Sequence, residues 1–249
     1  MSTLLASFIF FTRLPFWRLG TPPREAFKRV VALWPLTGWL TGGVSAVVFW
    51  LFSHILAVEA SVVMAFATRA ILTGALHEDG LADCFDGFGG GAARERILEI
   101  MKDSRIGAYG VIGLILYYFM AVASLSSVGN VAALCAIIPA ADVWSKFCTS
   151  QIINVLPYSR DENTAKNRTV YSRFTTGETI ANVAVSLPSL LVAVYLPTLL
   201  WAFIAPIVTS AAAFLYFRHK IGGYTGDCCG GCFLMSELSF FITAAAIIQ

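Results

Sequence analysis

The chain has 249 residues, of which 57% are hydrophobic and 13% charged, where a soluble domain carries about 25% charged residues. With a mean hydropathy of +0.74, a water-soluble fold of this length has nowhere to hide its apolar surface, so lipid is the solvent for much of it. The net charge of +2 argues against nucleic acid as a partner.

The apolar runs, taken in chain order, predict an all-α, polytopic transmembrane bundle of about seven spans, with residues 1–249 forming a single domain. Residues 4–17 are too short and too broken by Arg13 and Pro15 to cross. They are expected to form an interfacial helix, and nothing in them resembles a removable leader. Spans are expected at 33–56, 62–76, 110–128, 131–153, 183–196, 198–217 and 232–248, since about 20 residues rising 1.5 Å each cross a bilayer core. The shorter runs borrow flanking residues. Arg69, Asp142, Lys146 and Glu237 fall inside these runs and are expected to face the bundle interior and pair, Asp142 with Lys146 one turn away. The six cysteines form no disulfide framework, and several sit in apolar runs, so they are read as reduced packing residues.

Basic residues set the orientation. Arg13, Arg18, Arg24, Lys28 and Arg29 precede the first span. Arg94, Arg96, Lys102 and Arg105 follow the second, Arg160, Lys166, Arg168 and Arg173 follow the fourth, and Arg218 and Lys220 follow the sixth. The alternate connections contain no Lys or Arg. The N-terminus and the long polar loops are therefore expected in the cytoplasm and the C-terminus outside. Long, charged, glycine-rich loops on one side put the chemistry on that side. A homo-oligomer is left open.

The segment HEDGLADCFDG at 77–87 sets Asp79, Asp83 and Asp86 at i, i+4 and i+7, within roughly a 60° sector of one helix face. Carboxylates so close repel one another unless a cation neutralises them. Hard oxygen donors suit Mg²⁺, Mn²⁺ or Ca²⁺. Glu78 points to another side and is a weaker candidate ligand. The competing structural explanation is an acidic helix start favoured by the dipole. Gly89 to Gly91 suggest a hinge. Arg94, Arg96, Lys102, Arg105 and the glycine-flanked Tyr109 follow, and cations beside a carboxylate cluster suit a pyrophosphate substrate. Asp227, in GGYTGD at 222–227, either joins the metal ligands or caps the last helix. Cys228, Cys229 and Cys232 offer one CxxC spacing with no second pair, which does not make a zinc site. The proton acceptor is left open between Asp86 and His77.

HEDGLAD with Asp86-Gly87, IMKDSRIGAYG at 100–110 and GGYTGD at 222–227 resemble the cobalamin synthase family, as do FTRLP at 11–15 and WPLTG at 34–38. The resemblance runs over nearly the whole chain and weakens at 161–176 and 228–232. It implies an adenosylcobinamide-GDP ribazoletransferase of the bacterial inner membrane. Such an enzyme joins adenosylcobinamide-GDP to α-ribazole or its 5′-phosphate, releases GMP and requires Mg²⁺. On that reading Asp79, Asp83 and Asp86 bind one or two Mg²⁺, and the loop cations steady phosphate charge.

Two rival readings have distinct expectations. A CDP-alcohol phosphatidyltransferase has an Asp-Gly step followed by Ala-Arg, whereas Asp79-Gly80 here leads to Ala82-Asp83. A membrane transporter would line a pathway with Arg69, Asp142 and Glu237, yet neither an internal repeat nor a matched pair of broken helices is visible.

Overall fold

Lipid gives backbone amides nothing to bond, so apolar runs fold as helices that satisfy their own hydrogen bonds. The computed structural model describes residues 2–160 and 170–248. The helices that frame the fold are α1 (Ser2–Phe11), α2 (Trp34–Phe52), α3 (Val58–Thr73), α4 (Leu76–Gly90) and α5 (Arg94–Ile100), followed by α6 (Ala108–Ser127), α7 (Val131–Ser150), α8 (Thr176–Ser186), α9 (Leu200–Ile221) and α10 (Gly226–Ile248). Among the described residues six helices are long and apolar enough to cross a membrane, or seven if the bent pair α3–α4 counts as one span. The all-α, polytopic architecture expected from the apolar runs is the one observed. The N-terminal stretch forms the short apolar helix α1.

Three boundaries differ most from the sequence reading, one of them the fifth span, which begins at Thr176 rather than at 183. The second span does not run straight on into the acidic segment, because the chain turns through 93° between α3 and α4. Gly74 (φ +66°) and Ala75 (φ +56°) both take the left-handed conformation there, which is uncommon for a residue with a Cβ. The last helix begins at Gly226 rather than near 232, because the Thr225 hydroxyl accepts the Cys228 N–H at 3.3 Å and caps it.

The charged groups inside the spans pair as expected. Arg69 on α3 forms a buried ion pair with Glu237 on α10. The Tyr117 hydroxyl on α6 closes the triangle, accepting from Arg69 at 2.8 Å and donating to Glu237 at 2.6 Å. On α7, Lys146 pairs with Asp142 at 2.5 Å. The Thr41 hydroxyl of α2 accepts from Lys146 at 2.8 Å and donates to Asp142 at 2.9 Å. Both cations also lie over the Phe233 ring.

At the site end of the bundle three connections are stitched together. Arg94 donates to the carbonyls of Ile221 and Ser159, each at 2.9 Å. Arg160 donates to the Leu98 carbonyl at 2.9 Å. The 157–159 and 224 backbones pair through Ser159 N–H to Tyr224 O at 2.8 Å and Tyr224 N–H to Pro157 O at 3.0 Å. The N-terminal segment joins them through Arg29 and Glu178, 2.8 Å apart. These loops thus share one end of the molecule, as the charge alternation expects. Lys166 and Arg168, which also enter that orientation argument, lie outside the described residues.

Candidate active site

Helices α4 and α10 cross with almost no side chain between them. A Cβ at Gly80 would lie 2.9 Å from the Asp227 carbonyl oxygen, and one at Gly230 would lie 3.1 Å from the His77 carbonyl oxygen. This close approach brings the first turns of the two helices to one cavity of about 120 Å³, lined by Leu76, His77 and Asp79 from α4 and by Gly226, Asp227 and Cys229 from α10. Two helix N-termini with their positive dipole ends face the space, and two carboxylates, Asp79 and Asp227, stand in it. Asp83, half-buried one turn along α4, is not among the residues that line this cavity. Since Thr225 caps α10, Asp227 is not spent as the cap.

His77 is enclosed by aromatic rings. It stacks on Trp34, with centroids 5.6 Å apart, and meets the edge of Phe233 at 4.8 Å. Its exposure is 2% and neither ring nitrogen has a hydrogen-bond partner. Most of the remaining described wall is aromatic too: Phe10, Phe11, Trp34, Tyr158 and Tyr171, with Val31 and Gly230. Burial pushes the Tyr158 phenol up to about 12, so it is a neutral hydrogen-bond donor at physiological pH.

Other residues singled out from the sequence take different places. Asp86 points from α4 to the start of α6, where its two oxygens accept the Gly107 N–H at 2.7 Å and the Gly110 N–H at 2.8 Å. A carboxylate so placed caps α6 from a neighbouring helix. Asp86→Ala is expected to cost about 2 kcal/mol of stability, measured by thermal unfolding in detergent. A loss under about 0.5 kcal/mol would show that the brace is unimportant. Glu78 turns into the bundle, where the Tyr118 hydroxyl donates to it at 3.4 Å.

Among the described residues none of the loop cations lines the cavity. Arg94 is the staple described above. Arg96 pairs with Glu99 at 2.8 Å. Arg105 bonds Asp103 through side chain and backbone, holding that carboxyl down at about 2. Lys102 is exposed. Tyr109 lies over Gly89, beside an apolar groove between α4, α9 and α10. The sequence reading missed Phe11, Trp34, Tyr158 and Tyr171. The first two stand in the FTRLP and WPLTG motifs, and the second two flank the polar 160–170 stretch, so their clustering is a long-range event with no local signature.

Among the described residues no three His, Cys, Asp or Glu side chains converge closely enough to hold an ion by themselves. Mg²⁺ seldom needs such a cage, since it usually binds one or two carboxylates and completes its shell with substrate phosphates and water. Hard carboxylates at Asp79 and Asp227, facing a cavity ringed by helix N-termini, fit an ion shared with a phosphate. Cations neutralise the acids, while the dipoles and N–H groups favour the anion.

No solved structure matches the chain. The sequence profile of the cobalamin-5-phosphate synthase family matches residues 3–245. An adenosylcobinamide-GDP ribazoletransferase of Shewanella baltica strain OS185 is 36% identical over 234 residues, 92% of this chain and 88% of the relative. The protein of the same name from Leptothrix cholodnii is 35% identical over 94% of this chain and 90% of its own length. That of Vibrio cholerae serotype O1 strain ATCC 39541 is 31% identical over 100% of this chain and 95% of its own. The match is continuous and runs through α4, the α4–α10 crossing and the first turn of α10, so this chain belongs to the cobalamin-5-phosphate synthase family.

Proposed function

We infer that this chain is an integral-membrane transferase of cobalamin assembly. It joins adenosylcobinamide-GDP to α-ribazole or its 5′-phosphate and releases GMP. The observation that carries the reading is that Asp79 and Asp227 line one cavity, where the first turns of α4 and α10 meet, in a chain of this family. In the reaction a ribose hydroxyl oxygen forms a bond to the phosphorus that bears the cobinamide, the bond from that phosphorus to the GMP oxygen breaks, and the hydroxyl proton passes to a base.

The chain's own groups meet those needs. Asp79 and Asp227, with Asp83 one turn further along α4, would hold Mg²⁺. When bound, the ion supplies positive charge that offsets the diphosphate and the leaving oxygen. The positive end of the α10 dipole faces the same anion. His77, buried and unpartnered at the cavity wall, is placed to accept the hydroxyl proton. Asp86, the other candidate acceptor, is engaged by two backbone amides and serves better as the brace that fixes α4 against α6. The basic loops gather at the site end, which supports a cytoplasmic active site in the bacterial inner membrane and an outward C-terminus. A cysteine introduced at Asn130 is then expected to react with an impermeant maleimide from outside, and protection there would reverse the orientation.

The direct test is incubation of the purified protein with adenosylcobinamide-GDP, α-ribazole 5′-phosphate and Mg²⁺. GMP and the joined product are expected in equal amounts by mass spectrometry, and chelation should stop both. Release of GMP without the joined product would mark a hydrolase instead.

A further inference from the structure

The cavity is too small for either whole substrate. At about 120 Å³ it lies below the roughly 300–1,000 Å³ typical of sites that enclose a complete small molecule. Only a fragment enters it, and its walls say which kind. Rings from separate segments converge there: Phe11 from α1, Trp34 from α2, Tyr158 from the connection after α7, and Tyr171 from the stretch leading into α8. Phe11 and Trp34 stack in parallel with centroids 5.2 Å apart, and Tyr171 stands edge-on to Phe10 at 6.2 Å. The same cavity carries two carboxylates, Asp79 and Asp227, beside these rings. A flat heteroaromatic ring suits such walls, because stacking on aromatic faces is favourable and tolerant of ring type.

We propose that this aromatic recess seats the planar base of the nucleoside acceptor, the ribazole, and so sets its ribose hydroxyl at Asp79, Asp227 and His77. The inference rests on the transferase reading. Reach separates it from the alternative, a guanine seat. In the donor, guanine is removed from the reacting phosphorus by a ribose and a further phosphate. In the acceptor, the base is removed from the attacking oxygen by the ribose alone. The recess and the carboxylates share one small cavity, so the ring that enters it belongs to the reactant with the shorter reach. Tyr158, neutral at physiological pH, supplies a donor for a ring nitrogen of the acceptor.

The test measures equilibrium binding of each substrate to the full-length protein in detergent, alongside GMP release. Tyr171→Ala is expected to weaken α-ribazole binding by roughly 5- to 150-fold, the loss of one stacking ring, and to leave adenosylcobinamide-GDP binding within about two-fold. Tyr171→Phe, which keeps the ring, is expected to bind both substrates nearly as the parent does, and it guards against a folding effect of the alanine. Loss of donor binding in Tyr171→Ala, or displacement of α-ribazole by guanosine, would overturn the proposal in favour of a guanine seat. Unchanged binding of both substrates with GMP release intact would overturn the seat and spare the transferase reading. Failure of the parent protein to bind α-ribazole or release GMP would overturn both.

Discussion

An Asp79→Asn protein is expected to lose turnover by roughly 10²- to 10³-fold while remaining folded. The amide has the size of the carboxylate but not its charge, so under the proposed Mg²⁺ role the substitution weakens the hold on that cation. Asp79 is exposed at the first turn of α4, and exposed substitutions seldom move stability by more than about 0.5 kcal/mol. Thermal unfolding of the same variant in detergent separates a loss of activity from a loss of stability. The Mg²⁺ concentration for half-maximal rate should rise in the same variant, while α-ribazole affinity, on the proposed aromatic seat, stays near the parent value. Asp83→Asn is expected to act in the same direction. A turnover within about three-fold of the parent for Asp79→Asn would remove this residue from the ion.

The second large effect concerns the membrane interior. Glu237→Ala is expected to cost about 3–5 kcal/mol, because it strands a buried guanidinium. Arg69 is 3% exposed and Glu237 0%, and Tyr117 loses an acceptor along with Arg69. The Arg69→Met, Glu237→Met pair should recover most of that loss, since two apolar side chains leave nothing unpaired. Unfolding in detergent gives both numbers. A single-variant loss below about 1 kcal/mol, or a double variant no better than the single, would contradict the triangle. Because α10 also carries Asp227, loosening its grip on α3 and α6 should lower activity as well.

The parts of the molecule legible in the sequence are those fixed by solvent. Apolar runs set the spans, and the cost of charge in lipid forces Arg69 onto Glu237 and Asp142 onto Lys146. The 93° turn was not legible, because Ala75 in a left-handed conformation has no compositional signal. Asp79 and Asp83 could be put on one face from spacing alone. The diversion of Asp86 could not, since it depends on the start of α6 packing beside α4. The loop cations illustrate the same limit. Clustered Arg and Lys imply an anion site, yet Arg94 spends its donors on the Ile221 and Ser159 carbonyls and Arg105 on Asp103. The aromatic recess came from rings scattered over 160 positions, each ordinary in a chain with 19 Phe, 8 Tyr and 6 Trp.

Titration of Mn²⁺ into the purified protein, followed by electron paramagnetic resonance with adenosylcobinamide-GDP present, tests the carboxylate pair most directly. The parent protein is expected to immobilise Mn²⁺ in the presence of the nucleotide, and the Asp79→Asn, Asp227→Asn double variant to leave it free in solution. Equal immobilisation by both proteins would contradict the placement of the ion between α4 and α10.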